Sequence, residues 1–444
     1  MPPRPILSAA LPAWLAICLA VTGLPAVAQG TATFTAAEID AAGYDGGDLP
    51  PGRSALTAKV QVLLDRSGTS PGVIDGFKGG MSQSAIMAFE RRAGLPMDGI
   101  MDPHLWNLLQ SFANAPVTAD YTITAEDAEG LVDAIPADYA EKARMSAMGY
   151  TSIAEKLGER FHMDEKFIAF LNPGVALVPG ATIKVTAPAA PIRGEVTRIL
   201  IDKATRRVAA YDARGRMIVD YPATIGSDST PSPSGNHKVV TVAINPNYTY
   251  NPARNFKQGD NDKPLIVPPG PNGPVGTVWI DLSKPSYGIH GTPTPSQLFV
   301  NQSYGCVRLT NWDARELAGM VKGGVTTVEF LQPGVTIADA TGTRPAEPVV
   351  TSEPLEQAAG GTPADPAPAT AAVAETVQPV AADAPALTYP AEGARDAAAA
   401  GGTVLEDTSE EAADRLAPVG GDPLSDALSG ALAEGFLVPP LGEE

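Results

Sequence analysis

The sequence predicts a multidomain α+β protein: a small helical bundle, a strand–helix–helix–strand segment, a mainly β domain and a disordered acidic tail. Three observations support this fold class. Residues 54–112 carry apolar positions at helical spacing between Asp/Gly turns. Residues 194–332 change to a period of two with many β-branched residues. Residues 333–444 are rich in Ala, Pro and acidic residues and poor in aromatics.

The first 28 residues have the pattern of an export signal. An apolar run at 6–24 precedes small residues at 26–28, a typical cleavage site. Pro12 and Gly23 interrupt the run, which disfavours the alternative, a membrane anchor. We therefore expect residues 1–28 to be removed and the mature protein to work in the periplasm or cell envelope.

Residues 54–112 contain an internal near-repeat. The Asp/Gly turn at 72–76 is echoed at 97–102, each follows a helical pattern, and a third short helix is expected at 104–109. Three short helices joined in this way form a compact bundle. The segment resembles the peptidoglycan-binding-repeat domain found beside many cell-wall enzymes, and the resemblance implies that it binds peptidoglycan.

Residues 121–186 begin and end with strand-like runs, at 121–123 and 181–185. Between the strands lie a helical pattern at 153–158 and an Asn-Pro turn. This order resembles the LysM glycan-binding module, and residues 128–150 look like an insertion in it. A helical spacer between two domains is the alternative.

The 194–332 domain is expected to be a β sandwich or barrel. Strand patterns recur along it at 196–201, 208–211, 217–221, 238–244, 277–282 and 325–331. One helix is expected between the last two strands, at 313–321.

The tail at 333–444 carries most of the charge of the chain. From Thr341 to Glu444 there are 18 acidic and 3 basic residues, about −15 of the total of −19. Such a composition does not bury enough apolar surface to offset the entropy of ordering. One apolar stripe at helical spacing interrupts it, at Leu424, Leu428, Leu432 and Phe436.

Removal of the signal leaves a single cysteine, Cys306, so an intramolecular disulfide cannot explain it. A buried small hydrophobic residue is one alternative. A nucleophile is the other, and it requires a base. His290 lies 16 residues earlier, a separation that fits two neighbouring β segments. Gly305 would let the backbone approach a substrate, and the amides at 305–306 could form an oxyanion hole.

Two runs carry this chemistry: Tyr-Gly-Ile-His-Gly-Thr at 287–292 and Ser-Tyr-Gly-Cys-Val-Arg-Leu at 303–309. Together they resemble the catalytic signature of the L,D-transpeptidases with a YkuD-type domain. The resemblance implies that Cys306 is the acylated nucleophile, that His290 is its base and that Ser303 orients the histidine. It also assigns Arg308 to substrate binding or to the shape of the site.

The remaining residues of these runs are expected to bind substrate or shape the pocket: Gly291, Tyr287 and Tyr304, which stands where the family carries a histidine. The sequence contains no metal-ligand spacing, and we expect neither a metal nor another cofactor.

The leading hypothesis is a peptidoglycan L,D-transpeptidase. As the resemblance implies, Cys306 would form a thioester with a tetrapeptide stem, release D-alanine and transfer the acyl group to an amine of another stem. The alternatives are a carboxypeptidase or hydrolase, the attachment of an envelope protein to peptidoglycan, and a wall-binding structural protein without activity. The expected partners are stem peptides and glycan but not nucleic acid, and the acidic tail is a candidate binding segment for an envelope protein. We also expect a fragment of about residues 190–335 to act on soluble peptides by itself.

Overall fold

The computed structural model describes residues 33–227, 230–253 and 257–343. The expected export signal and the apolar stripe at 424–436 lie outside the described residues. Among the described residues, no helix is both long enough and apolar enough to cross a membrane. The mixed α+β fold class is confirmed, and all described residues belong to one compact unit.

The N-terminal part is a helical bundle. Its four helices are α1 (Ala36–Ala41), α2 (Ala55–Arg66), α3 (Gly80–Ala93) and α4 (Pro103–Leu109). The last three correspond to the helices predicted from the sequence. The first begins at a capping box formed by Thr35 and Glu38, which the sequence analysis did not identify.

The next segment has the expected order of strands and helices. Its elements are β1 (Thr118–Thr122), α5 (Tyr139–Lys142), α6 (Ile153–Arg160), α7 (Glu165–Leu171) and β2 (Thr182–Thr186). The two strands pair antiparallel, with Thr118 opposite Thr186. The short helix α5 belongs to the expected insertion at 128–150. That the segment is a LysM module stays a prediction.

The β domain is built on one mixed sheet of eight strands, in the order β11-β10-β9-β6-β12-β3-β4-β5. Its strands and those of a separate hairpin, β7 with β8, are β3 (Arg198–Asp202), β4 (Arg207–Tyr211), β5 (Met217–Pro222), β6 (Gly235–Ile244), β7 (Tyr248–Tyr250), β8 (Leu265–Val267), β9 (Val278–Leu282), β10 (Gly288–His290), β11 (Val307–Arg308) and β12 (Thr327–Phe330). Helix α8 (Asn311–Ala318) corresponds to the expected helix.

Alternation along the strands separates two apolar layers. One face packs with α8, and its core includes Ile280, Ile289 and Leu317. The other face contributes Trp279 and Cys306 to a second cluster, which lies against the β7–β8 hairpin. The cysteine therefore belongs to the layer opposite the main core of the domain.

The predicted boundary at 332 differs from the structure. Residues 337–341 form a further helix, α9 (Ile337–Thr341), which begins at a capping box of Thr336 and Asp339. The Ile337 amide donates to the Asp202 carboxylate at 3.1 Å, and the Ile337 side chain is fully buried. The first residues of the expected tail thus belong to the folded domain, because they cover apolar surface beside β3.

Buried polar contacts join the helical bundle to the β domain. Asp220 on β5 accepts from Arg207 Nε at 2.6 Å and from Arg91 of the bundle. Ser70 of the bundle donates to the Asp313 carboxylate at 3.0 Å. Asp220 and Arg207 are almost completely buried. The bundle is therefore packed on the β domain through groups that depend on each other for charge compensation.

Candidate active site

The two strands β10 and β11 bring the predicted nucleophile and base to one face of the sheet. They pair in parallel, with Ile289 opposite Val307 and His290 opposite Arg308. Ile289 and Val307 point into the main core. Because side chains alternate along a strand, His290 and Arg308 project from the other face, and Cys306, two residues before Arg308, joins them there.

His290 is held in one orientation and kept neutral by burial. Its side chain is fully buried and stacks on Trp279, with ring centroids 5.5 Å apart. Nδ1 lies 2.7 Å from the Gly291 carbonyl, so Nδ1 is the nitrogen that carries and donates the proton. Nε2 is buried without a hydrogen-bond partner among the described residues. Burial, together with the charge of Arg308, lowers the pKa of His290 to about 3. The Nε2 lone pair is therefore available to accept a proton.

Cys306 lies in an apolar wall. The residue is fully buried and belongs to a cluster that includes Trp279, Tyr139 and Met148. Its Sγ is 3.9 Å from the Ser286 carbonyl, a long and weak contact. Two of these neighbours, Tyr139 and Met148, come from the 128–150 segment rather than from the β domain.

The backbone before Cys306 forms a tight turn. The Ser303 hydroxyl donates to the Cys306 carbonyl at 2.5 Å and accepts from the Gly305 amide at 3.0 Å. Ser232 donates to the Gly305 carbonyl at 2.7 Å. Gly305 has a φ of +120°, and a Cβ there would lie 2.8 Å from the Tyr287 ring. Glycine is therefore required at 305 for both its backbone conformation and the space around it.

These contacts correct two expectations. The Ser303 hydroxyl shapes the turn at 303–306, while the carbonyl of Gly291 is the group that orients His290. The Gly305 amide already donates to Ser303, so it is not available as an oxyanion-hole donor in this conformation.

The other predicted site residues, Tyr287, Tyr304 and Arg308, differ in their exposure to solvent. Tyr287 is 8% exposed and packs in the main core against Gly305. Tyr304 is 42% exposed and lies at the surface of the turn. Arg308 is half-buried and donates to the Gln302 carbonyl at 3.3 Å.

A cavity of about 380 Å³ lies beside the strand face that carries His290. Thr292 and Arg308 line it from the β domain, and Tyr139 and Lys142 line it from the 128–150 segment. No motif in the sequence indicated these last two residues. The only signal was that 128–150 interrupts a recognisable pattern, which does not reveal where an insertion packs.

Comparisons with known proteins identify two domains in the chain. Residues 196–330 match the family model of the YkuD L,D-transpeptidase catalytic domain. The β domain is an L,D-transpeptidase catalytic domain of the YkuD family. Residues 53–109 of the same chain match the model of a peptidoglycan binding domain. The L,D-transpeptidase domain therefore stands beside a peptidoglycan-binding domain in one chain.

Two curated proteins named as YkuD L,D-transpeptidases are similar to this chain. The protein of Bacillus licheniformis is 28% identical over 180 residues, which are 38% of this chain and 88% of that protein. The protein of Bacillus subtilis is 34% identical over 109 residues, 24% of this chain and 51% of that protein. The chain thus spans most of the first relative and about half of the second.

Among solved structures, L,D-transpeptidase 3 from Mycobacterium tuberculosis is 13% identical, with a TM-score of 0.25 over 34% of this chain and 65% of that one. The assignment of the L,D-transpeptidase domain depends on the family match and on the sequence relatives.

Proposed function

We propose that this protein is a peptidoglycan L,D-transpeptidase of the cell envelope in which Cys306 is the nucleophile and His290 the general base. The observation that carries the proposal is the pairing of β10 with β11, which sets a buried neutral imidazole and a buried thiol on the same face. The free Nε2 lone pair of His290 supports its role, because a thiol must lose its proton to attack.

The reaction follows from these groups. Cys306 Sγ attacks the carbonyl carbon of the scissile amide of a tetrapeptide stem, and the thiol proton passes to His290 Nε2. The C–N bond then breaks, the leaving amine of the terminal D-alanine takes that proton, and a thioester remains on Cys306. An amine of a second stem attacks the thioester, the C–S bond breaks, and the thiol is restored with a cross-linked peptide as product.

The acceptor distinguishes this function from its alternatives. Water as acceptor would make the protein a carboxypeptidase, and an amine of an envelope protein would attach that protein to peptidoglycan. The acidic tail is the segment through which we propose that such a protein partner binds. The domain at 53–109 contributes affinity for peptidoglycan, which raises the concentration of stems near Cys306. Export by the signal at 1–28 belongs to the same proposal.

Mass spectrometry of peptidoglycan fragments incubated with the protein tests this function. We expect cross-linked dimers with loss of D-alanine, and a thioester adduct on Cys306 in the absence of acceptor. Cys306→Ala should abolish both products, because the thiol is the covalent centre. Trimmed monomers alone would identify a hydrolase.

The matched control is Ser286→Ala, which removes a hydroxyl next to the site but keeps the backbone carbonyl that Cys306 contacts. This variant should form the adduct. An adduct or dimer produced by a folded Cys306→Ala protein would refute the mechanism.

A further inference from the structure

The cavity beside the catalytic pair has walls from two parts of the chain. Thr292, Thr294 and Arg308 line it from the L,D-transpeptidase domain, and Ile135, Tyr139 and Lys142 line it from the 128–150 segment. His290 is the register partner of Arg308, so the cavity continues the face that carries the catalytic pair. A substrate bound at Cys306 would therefore meet residues from outside the catalytic domain.

The C-terminal end of the 128–150 segment is fixed to the domain by backbone hydrogen bonds. The Met148 amide donates to the Pro269 carbonyl at 2.9 Å, and the Asn272 amide donates to the Met148 carbonyl at 3.0 Å. A side chain at Gly270 would collide with the Met148 carbonyl, so the two backbones are in close contact.

The helix α5 is fixed by aromatic stacking and by a side-chain contact. The Tyr139 ring stacks on Tyr250 of β7, with centroids 4.6 Å apart and an interplanar angle of 15°. The Tyr139 amide donates to the Gln258 side chain at 2.8 Å. The Lys142 side chain, one turn later, is thus presented to the cavity from an anchored helix.

The cavity is positively charged. Of the described residues that line it, Lys142 and Arg308 are basic and none is acidic. Lys142 Nζ lies 4.7 Å from the centre of the Tyr139 ring. Burial lowers the pKa of Lys142, and the nearby Asp138 offsets this only in part. An anion that entered the cavity would stabilise both charged side chains.

We propose that Lys142, together with Arg308, binds a carboxylate of the donor stem peptide, so that the 128–150 segment completes the substrate site. The Cα atoms of Cys306 and Arg308 are two strand positions apart, a distance of about 6–7 Å. About two extended peptide residues span that distance. The carboxylate therefore belongs to the residue that leaves or to a side chain next to the scissile bond. The inference depends on the proposed function for the identity of the peptide.

Kinetics of the full chain with soluble donor and acceptor peptides test the role of Lys142. Lys142→Ala should raise the KM for the donor about tenfold, as expected for the loss of a hydrogen bond to a charged group, with kcat changed less than twofold. Lys142→Arg should restore most of the affinity. Lys166→Ala removes an exposed lysine of helix α7 that does not line the cavity, and it should leave both constants unchanged.

Amidated donors identify the carboxylate. With a donor amidated at its C-terminus, the KM of the wild-type protein should rise and Lys142→Ala should add nothing further, if the terminal carboxylate is the one bound. If a side-chain carboxylate is bound, the same result should appear with a donor amidated there. An additional effect of Lys142→Ala on both donors, or an unchanged KM with the unmodified donor, would overturn the proposal.

Direct binding separates this inference from the proposed function. In the Cys306→Ala background, calorimetry should give a dissociation constant for the unmodified peptide that Lys142→Ala weakens about tenfold. This measurement needs no turnover, so a protein that binds the peptide through Lys142 but fails to acylate would refute only the function. Equal binding by both variants would refute the role of Lys142.

Discussion

At the scale of single residues, burial decides the chemistry of His290. In water an imidazole has a pKa near 6.5 and is partly protonated at neutral pH. In the buried site the pKa of His290 is about 3, because burial and Arg308 both disfavour the cation. The imidazole is thus neutral across the physiological range, and its Nε2 lone pair carries no proton before the reaction.

The first prediction is the pH dependence of acylation. The base form of His290 exists above its pKa and is lost as the pH falls through that value, so the acid limb of wild-type acylation should lie well below pH 6.5. His290→Ala should acylate on the order of a hundredfold or more slowly at pH 7. Its rate should rise with pH, because a larger fraction of the thiol then ionises without the help of a base. Stopped-flow acylation across a pH series measures both effects.

His104→Ala is the matched control, since this histidine is exposed in the first turn of α4, in the helical bundle. Its pH profile should equal that of the wild-type protein. If the profile of His290→Ala instead ran parallel to the wild-type profile, thiol ionisation would not be the step that His290 assists.

At the scale of elements, the turn at 303–306 holds Cys306, the proposed nucleophile. Gly305 has a backbone conformation that side chains rarely adopt, and the hydroxyls of Ser303 and Ser232 bond to its amide and carbonyl. The Tyr287 ring closes the remaining space. The position of Cys306 thus depends on a short turn that several side chains determine together.

The second prediction is that Gly305→Ala reduces activity by displacing Cys306. The change forces a Cβ against the Tyr287 ring and costs on the order of 1–3 kcal/mol in backbone strain. We expect kcat for acylation to fall at least tenfold in protein that is still folded, measured by peptide turnover and thermal unfolding.

Gly324→Ala provides the control for strain alone. Gly324 has a φ of +74° with open space around the missing Cβ. This variant should lose stability but keep its kcat. Equal losses of kcat in the two variants would mean that general destabilisation, rather than the turn, explains the effect.

At the scale of the whole molecule, the modules are packed together rather than merely tethered. Arg91 of the bundle reaches the buried Asp220, and Met148 and Tyr139 of the next segment join the apolar cluster of Cys306. The earlier expectation, that a fragment of about residues 190–335 acts by itself on soluble peptides, conflicts with these contacts. Removal of the upstream residues exposes both the polar junction and the wall beside the thiol.

The third prediction is therefore that this fragment is less stable and less active than the full chain. The fragment loses the contact of Arg91 with Asp220, exposes the polar junction to water, and also loses α5 and Met148. Thermal unfolding and turnover of a soluble tetrapeptide should both show the loss. A second fragment that starts at residue 33 and ends at 343 keeps every described contact and should match the full chain.

Wild-type stability and turnover in the 190–335 fragment would contradict this view and restore the independent β domain. Arg91→Ala in the full chain tests the junction alone. It should lower the unfolding free energy without changing the KM for a soluble donor, because Arg91 lies at the junction and not at the cavity.

Local sequence patterns determined much of the fold. Helical periodicity and Asp/Gly turns identified α2, α3 and α4, and period-two patterns identified six of the longer strands. These signals are local, because they arise from side chains that alternate on one element. The runs at 287–292 and 303–309 likewise predict Cys306 and His290 as the catalytic pair, and these roles stay a proposal.

Tertiary structure decided the remainder, since it depends on contacts between residues far apart in the chain. No local pattern indicates that the Gly291 carbonyl orients His290 or that the Ser303 hydroxyl bonds within the turn at 303–306. Nor does one indicate that β10 and β11, strands of three and two residues, pair in parallel. The same holds for α9. Its composition is like that of the tail, and only its packing beside β3 shows that it belongs to the folded domain. Above all, the packing of Tyr139 into the cluster of Cys306, and of Lys142 beside Arg308, brings together residues far apart in the chain, and only the folded chain reveals it.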